Sequence, residues 1–218
     1  MPDAKAKTAP TRAAYHHGDL RAQLISAVRS LVETHGPDGF SVAEAARRAG
    51  VSSAAPYKHF KDRAEILRGV CSEAMDRLRA EMEAGAGRYP EGSAEAVAAV
   101  GLAYVTFAKT EPGVFRLVFG LTEGHENAPD LQSKGEGCFG VVVGAVAAHQ
   151  RLSPDDPQVL YRAYILWTFV HGHSFLTIDN KVSVASAQID DWSYLLTVSR
   201  AILTQPSAGQ PTSGAGIG

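Results

Sequence analysis

Residues 41–60 read SVAEAARRAGVSSAAPYKHF, and this stretch decides the fold that the sequence predicts. Ser41 and Glu44 make the S-x-x-E pattern of a capping box, in which the serine hydroxyl accepts a hydrogen bond from the third helical amide and the glutamate reaches back to the serine amide. The pattern predicts a short helix over 42–49, whose alanines allow another helix to approach closely. Gly50 is expected to end this helix.

A second short helix is predicted over 54–60. Ser52 or Ser53 is its expected N-cap, and Pro56 lies in its first turn, where a missing amide proton costs little. Two short helices joined by a glycine turn are typical of a helix-turn-helix, in which the second helix enters the DNA major groove. The same pattern also occurs in helical cores that do not bind DNA, and the pattern alone does not separate the two.

The sequence on both sides of this stretch shows helical spacing of apolar residues and no convincing strand alternation. The predicted fold class is therefore all-α, with an N-terminal helix-turn-helix head of three helices followed by a C-terminal helical bundle. Further helices are expected near 17–35, 62–84, 93–109, 112–120, 130–150, 157–179 and 185–204. The segment 157–179 is apolar nearly all round, so it needs burial on two sides, and a second copy of the chain is the simplest outer partner.

Charge is unevenly distributed along the 218 residues, although the net charge is only −2. Residues 1–70 hold 11 lysines and arginines against 7 acidic residues, whereas 71–218 hold 10 against 16. A basic head on an acidic body suggests that only the head meets a polyanion. Cys71 and Cys138 are too few for a disulfide framework and suit a reducing cytoplasm, and the N-terminus lacks the apolar core of a signal peptide.

Patterns typical of enzymes and metal sites are missing from the sequence. It has no H-E-x-x-H, no Walker loop and no G-x-S-x-G motif. His171 and His173 on one helix would point about 200° apart, because each residue turns the helix by about 100°, so they are not expected to share an ion. We therefore expect no catalysis, no metal and no cofactor.

The segment 16–70 resembles the DNA-binding domain of the TetR family of bacterial repressors. The resemblance rests on G-x-x-x-F-[ST]-V at 36–42, A-x-x-A-G-V-S at 46–52, Y-K-H-F at 57–60 and K-D-R at 61–63 followed by Leu67. It implies a homodimer of all-helical subunits that binds a palindromic operator. It also implies a variable C-terminal domain that binds a small ligand and releases the DNA.

Carried over by position, the resemblance assigns roles in DNA binding. Ser41 and Arg63 are expected to contact phosphates, and Lys61 has the charge to do so. The residues expected near bases or the adjoining backbone are Ser52, Ser53, Ala54, Tyr57, Lys58 and His59. Tyr57 has an equally acceptable reading as a bridge between core and surface, and Phe60 is expected in the core.

A weaker resemblance lies at 167–172, where WTFVHG is similar to a W-x-x-x-H-G block in one subfamily of TetR-type regulators. Trp167 and His171 are one helical turn apart and share a face, so they either line a ligand pocket or form a packing pair or dimer contact. In this family the helices that enclose the pocket would carry five further candidates: Tyr104, Phe107, Phe115, Leu117 and Phe119. An aromatic lining favours a mostly apolar ligand, although such a stripe is also typical of plain core.

The sequence therefore predicts a cytoplasmic, ligand-responsive repressor that binds a palindromic operator as a homodimer. Its expected partners are duplex operator DNA, a small and largely apolar effector and a second copy of the chain, with no membrane. The expected domains are a disordered arm at 1–15, a DNA-binding domain at 16–62, a ligand-binding and dimerisation domain at 63–205 and a disordered tail at 206–218. The alternative is an all-helical dimeric scaffold or small-molecule-binding protein without a DNA function.

Overall fold

A computed structural model describes residues 20–120, 128–181 and 190–204. Within these ranges the chain is all-helical and contains no strand, as the sequence predicts, and one 3-10 helix (Pro56–Lys58) interrupts the α-helices. The α-helices are α1 (Leu20–His35), α2 (Val42–Arg48), α3 (Arg63–Ala86), α4 (Ala94–Thr110), α5 (Pro112–Phe119), α6 (Pro129–Gln150), α7 (Pro157–Ile178) and α8 (Asp191–Thr204). The predicted arm at 1–15 and tail at 206–218 lie outside the described residues.

Helices α2, α3, α4 and α7 each begin at a side chain that caps them. Ser41, Asp62, Ser93 and Asp156 each present an oxygen that accepts a first-turn backbone N–H at 2.7–3.1 Å. Such caps satisfy amides that have no partner inside the helix. The predicted caps at Ser41 and Asp62 are therefore present. The second half of the predicted capping box is not formed, because the Glu44 carboxylate lies 3.9 Å from Arg47 and does not bond to the Ser41 amide.

The head is built on α1, whose apolar face packs against α2 and the first half of α3. This face is buried, as are Phe40 and Phe60 on the segments that cross it. The α1 residues concerned are Leu24, Ile25, Val28, Leu31 and Val32. At 24 residues, α3 is about 36 Å long, and it continues from the head into the body.

The body is organised around α4, which packs against α3, α5, α6, α7 and α8. Its alanines allow this crowding, and Gly85 of α3 packs closely on it, since a Cβ on Gly85 would lie 3.0 Å from the Ala99 carbonyl oxygen. Leu195 is 4% exposed and belongs to the core of its own subunit.

Helix α7 is buried on one side only. Val159, Ala163, Leu166 and Val170 face the bundle. The rest of its surface carries large exposed apolar residues, which we call the α7 outer face: Leu160, Tyr161, Tyr164, Phe169 and Leu176. Two of them also contact the bundle at its edge, since Tyr164 borders a cavity and Phe169 packs on Tyr194 of α8. No helix in the described ranges combines the length and apolarity needed to cross a lipid bilayer.

Candidate functional site

The sequence-predicted DNA-contact residues after α2 form one exposed projection of the head. Pro56 and Phe60 are buried and anchor it. Between these anchors Tyr57 is 63% exposed, which fits contact with a partner better than a role in the core. We call this projection the recognition tip, and its exposed residues are Ser52, Ser53, Ala54, Tyr57, Lys58, His59 and Lys61.

The α-helix predicted over 54–60 is wrong: only Pro56–Lys58 is helical, and it is a 3-10 helix. Pro56 has no N–H to donate to the Ser52 carbonyl four residues earlier. That carbonyl instead accepts Ala55 N at 3.0 Å. The resulting bonds span three residues, which winds the segment more tightly.

Arg63 is held by the head itself. Its guanidinium donates to the Pro37 carbonyl and lies 4.7 Å from the centroid of the Phe40 ring, with Asp38 3.8 Å away. The cation therefore pins the α1–α2 turn to the start of α3. The resemblance implied that Arg63 contacts a phosphate. A phosphate would have to compete for a guanidinium that already contacts Pro37 and Phe40.

Two further basic residues of the head were not among the DNA-contact residues that the sequence predicted. Arg47 and Arg48 end α2 and are exposed. They directly precede the recognition tip in the chain and add two cations to the head. Two consecutive arginines inside a basic head were the available signal.

The body contains a cavity of about 340 Å³ between α3, α4, α6 and α7, which we call the aromatic chamber. A cavity of this size is within the range of small-molecule sites. Of the predicted ligand residues, Tyr104, Phe119 and Trp167 line it. The remaining lining residues were missed by the sequence reading: Met75, Gly135, Glu136, Cys138, Phe139 and Tyr164.

The other predicted ligand residues lie behind this wall. His171 packs between Phe115 and Phe119, with ring centroids 6.0 and 5.3 Å away. Phe115 is fully buried and contacts the Tyr104 ring edge-on. Phe107 is only 1% exposed and, like Leu117, belongs to the core.

Tyr104 and His171 form a hydrogen bond of 2.7 Å between the hydroxyl and Nδ1. Burial raises the pKa of Tyr104 and lowers the pKa of His171. Both side chains are therefore neutral at pH 7. The bond holds the tyrosine ring in the wall of the aromatic chamber without placing a charge there.

The two histidines of the H-x-H pattern do diverge. His171 lies in the aromatic cluster, whereas His173 Nε2 lies 3.4 Å from Asp191. In the described part of the chain, no group of three or more histidine, cysteine, aspartate or glutamate side chains is placed to hold a metal. Burial also raises the pKa of Cys71 to about 12 and that of Cys138 to about 11, so both remain thiols.

Helix α5 connects the aromatic chamber to the head. Phe119 at its end lines the chamber. At its start, the amides of Gly113 and Val114 donate to the Glu33 carboxylate of α1 at 3.0 and 2.6 Å. Arg29 of α1 bonds both oxygens of Glu111 at 2.7 and 2.9 Å. We call these five residues the α1–α5 joint.

Comparison with known families agrees with this geometry. The model for bacterial regulatory proteins of the tetR family matches residues 24–70, and the model for the tetracyclin repressor-like C-terminal domain matches 97–198. The chain belongs to the TetR family. It is thus a DNA-binding transcriptional regulator. TetR-family regulators act by binding DNA and are in general not enzymes.

Solved structures of similar fold include TetR-family members. A protein of unknown function from Rhodococcus sp. RHA1 has a TM-score of 0.72 and 25% identity, covering 87% of this chain and 96% of its own. A tetR-family transcriptional regulator from Streptomyces coelicolor has a TM-score of 0.66 and 14% identity, with 84% and 78% covered. The TetR-family regulator PfmR from Thermus thermophilus shares the fold at a TM-score of 0.58 and 16% identity, with 83% and 97% covered. No curated protein matches the chain.

Proposed function

We propose that this TetR-family protein is a ligand-responsive repressor that binds a palindromic operator as a homodimer in the cytoplasm. The effector would occupy the aromatic chamber, and the operator would meet the recognition tip. The observation that carries the proposal is the course of α5, which lines the chamber through Phe119 and is tied to α1 by Glu33. A ligand that displaces α5 therefore acts on the head.

The chemistry of the recognition tip suits a DNA groove. Ser52, Ser53 and Ala54 are small and exposed, so the backbone can come close to the base edges. Lys58 and His59 supply donors for base acceptors or phosphate oxygens. Ser41, exposed at the N-cap of α2, adds a hydroxyl for a phosphate, and Lys61 adds a charge.

The α7 outer face supports the homodimer. Five large apolar side chains on one side of one helix form a patch of the kind that marks a protein interface. A two-fold axis would pair the face with itself. The two heads would then address half-sites one helical turn apart, roughly 34–36 Å. An effector releases the DNA only if it binds more tightly to a dimer state in which the two heads are separated by a different distance.

Lys58→Ala tests the DNA role. Its binding to labelled duplexes from the region upstream of its own gene is measured by fluorescence anisotropy. Losing one phosphate contact should lower the slope of log affinity against log salt by about one unit. Lys181→Ala, an exposed lysine of the body, serves as the matched control and should bind like the unaltered protein. A folded protein that ignores every duplex at low salt would support the scaffold alternative.

Leu176→Glu tests the dimer by sedimentation velocity. A charge within an apolar interface should yield monomers, because the carboxylate would be buried without a partner. Leu152→Glu places the same change on an exposed leucine outside α7 and should remain dimeric. Dimers of both variants would place the interface elsewhere.

A further inference from the structure

A second cavity adjoins the aromatic chamber. It measures about 330 Å³ and lies between α3, α5 and α6. We call it the side chamber, and it is lined by Cys71, Met75, Val118, Ala128, Leu131, Gln132 and Gly135. Met75 and Gly135 therefore line both chambers.

The two residues that line both chambers, Gly135 and Met75, offer little obstruction between them. Gly135 of α6 has no side chain, and a Cβ built on it would meet no atom within 4 Å. Met75 of α3 supplies the other wall with an unbranched thioether, which changes rotamer easily and adapts to what it contacts. One long molecule can thus pass Gly135 and occupy both chambers.

Charge is nearly missing from the two linings. Glu136 is their only charged side chain among the described residues, and it is exposed and bonded to Gln132 at 3.0 Å. Tyr104 and both cysteines are held neutral by burial, which raises the pKa of each. Charged side chains lie near Cys138, but they are already paired: Arg79 with Glu83 and Asp76 with Lys134. An ionic group taken between these helices would therefore lose its water and gain little counter-charge.

The two chambers differ in shape and chemistry. Phe139 and Trp167 meet edge-to-face at 5.9 Å in the aromatic chamber, an arrangement that offers ring faces and edges to a flat group. The side chamber instead combines aliphatic and thiol walls, among them Leu131, Val118 and Cys71, with a polar part that includes Gln132. A ring therefore suits the first chamber and a flexible chain the second.

We propose that the effector is an elongated, uncharged molecule with an aromatic ring in the aromatic chamber and an alkyl chain that passes Gly135 into the side chamber. This inference rests on the proposed function, because it takes the chambers as the effector site. The proposal also predicts that the effect of the ligand on α5 depends on the length of the ligand. Val118 lines the side chamber and Phe119 the aromatic chamber, so only a molecule that fills both touches both residues.

Fluorescence of Trp167 provides the assay, and the probes are commercial phenylalkanols used without DNA. Trp167 lines the aromatic chamber, whereas Trp192, the other tryptophan, stacks on Tyr89 at 5.1 Å. Measurements therefore use a Trp192→Phe background. Affinity should rise about fourfold for each methylene added from benzyl alcohol to 6-phenylhexan-1-ol. The acid 6-phenylhexanoate and the amine 6-phenylhexylamine should bind at least about tenfold more weakly than the alcohol.

Gly135→Leu should close the passage. The leucine would fill space now open between the chambers, so 6-phenylhexan-1-ol should lose its advantage over benzyl alcohol, whose affinity should be retained. Gly144→Leu is the matched control, because Gly144 is on the same helix, is exposed and also has no atom within 4 Å of a built Cβ. Met75→Ala tests the opposite direction and should strengthen binding of the long alcohol.

Several outcomes would overturn the inference. Equal affinity for the acid or amine and the alcohol would refute an uncharged effector. Equal loss in Gly135→Leu and Gly144→Leu, or no rise with chain length, would refute the joined chambers. Operator binding with no response to any probe would refute this inference and leave the repressor proposal standing. Probe binding as expected without affinity for DNA would refute the repressor proposal alone.

Discussion

Glu33→Ala should loosen the first turn of α5 where it meets α1. Helix α5 begins at Pro112, which has no N–H, and Glu111 at its N-cap makes no side-chain cap bond. The next two amides, of Gly113 and Val114, both depend on the half-buried Glu33 carboxylate of α1. Removing that carboxylate leaves two first-turn donors without their partner.

The size of the effect follows from these two bonds. A hydrogen bond to a charged group contributes roughly 1.5–3 kcal/mol, and the loss of an N-cap typically costs about 1 kcal/mol. Because the site is only partly buried, water replaces part of the loss. We expect the free energy of unfolding to fall by about 2 kcal/mol, which corresponds to roughly 4–8 °C in Tm for a protein of this size.

Two measurements check this prediction. Urea unfolding gives the loss of free energy, and amide hydrogen exchange reads Gly113 and Val114 directly, since both should exchange faster while the α4 amides stay protected. Glu83→Ala is the matched control: Glu83 pairs with Arg79 at 2.8 Å on the surface of α3, and an exposed ion pair of this kind contributes little to stability. Equal losses in the two variants, or unchanged exchange of both amides, would refute the cap between α1 and α5.

Four further substitutions test other parts of the structure. Gly113→Ala would place a Cβ 2.7 Å from the Val32 carbonyl, so α5 must move and unfolding in urea should become easier by about 1–3 kcal/mol; unaltered stability would argue against close contact. Burial lowers the pKa of His171, so on acidification the unfolded chain binds a proton at this histidine before the folded chain does. The free energy of unfolding should therefore fall as the pH drops from 7 to 5. His171→Gln should make the free energy of unfolding in urea depend less on pH, and an unchanged pH dependence would contradict the prediction. Lys61→Ala should lower the slope of log operator affinity against log salt by about one unit. Arg63→Ala should instead mainly reduce stability, by about 1 kcal/mol, because it loses its contacts with the α1–α2 turn. The reverse pattern would identify Arg63 as the phosphate contact.

The features that local sequence could predict depend on residues close together in the chain. The caps at Ser41 and Asp62 join atoms three residues apart, and helical spacing of apolar residues reports which face is buried. For the same reason the head and its exposed tip were predictable, including the buried Phe60. The tighter winding at Pro56 was missed, since a proline in a first turn suits either type of helix.

The functional geometry of the body depends on residues far apart in sequence. Glu33 meets Gly113 across 80 positions, and Tyr104 meets His171 across 67. Spacing could mark Tyr104 and Phe107 as one aromatic stripe but could not tell that the first lines a cavity and the second fills the core. Local periodicity shows that a side chain is apolar and inward, whereas a cavity exists only where several helices fail to fill the space between them. The amino-acid order alone thus determined the α-helices, the caps of α2 and α3 and the position of the head, and packing between distant helices decided where the cavities lie and how α5 connects them to that head.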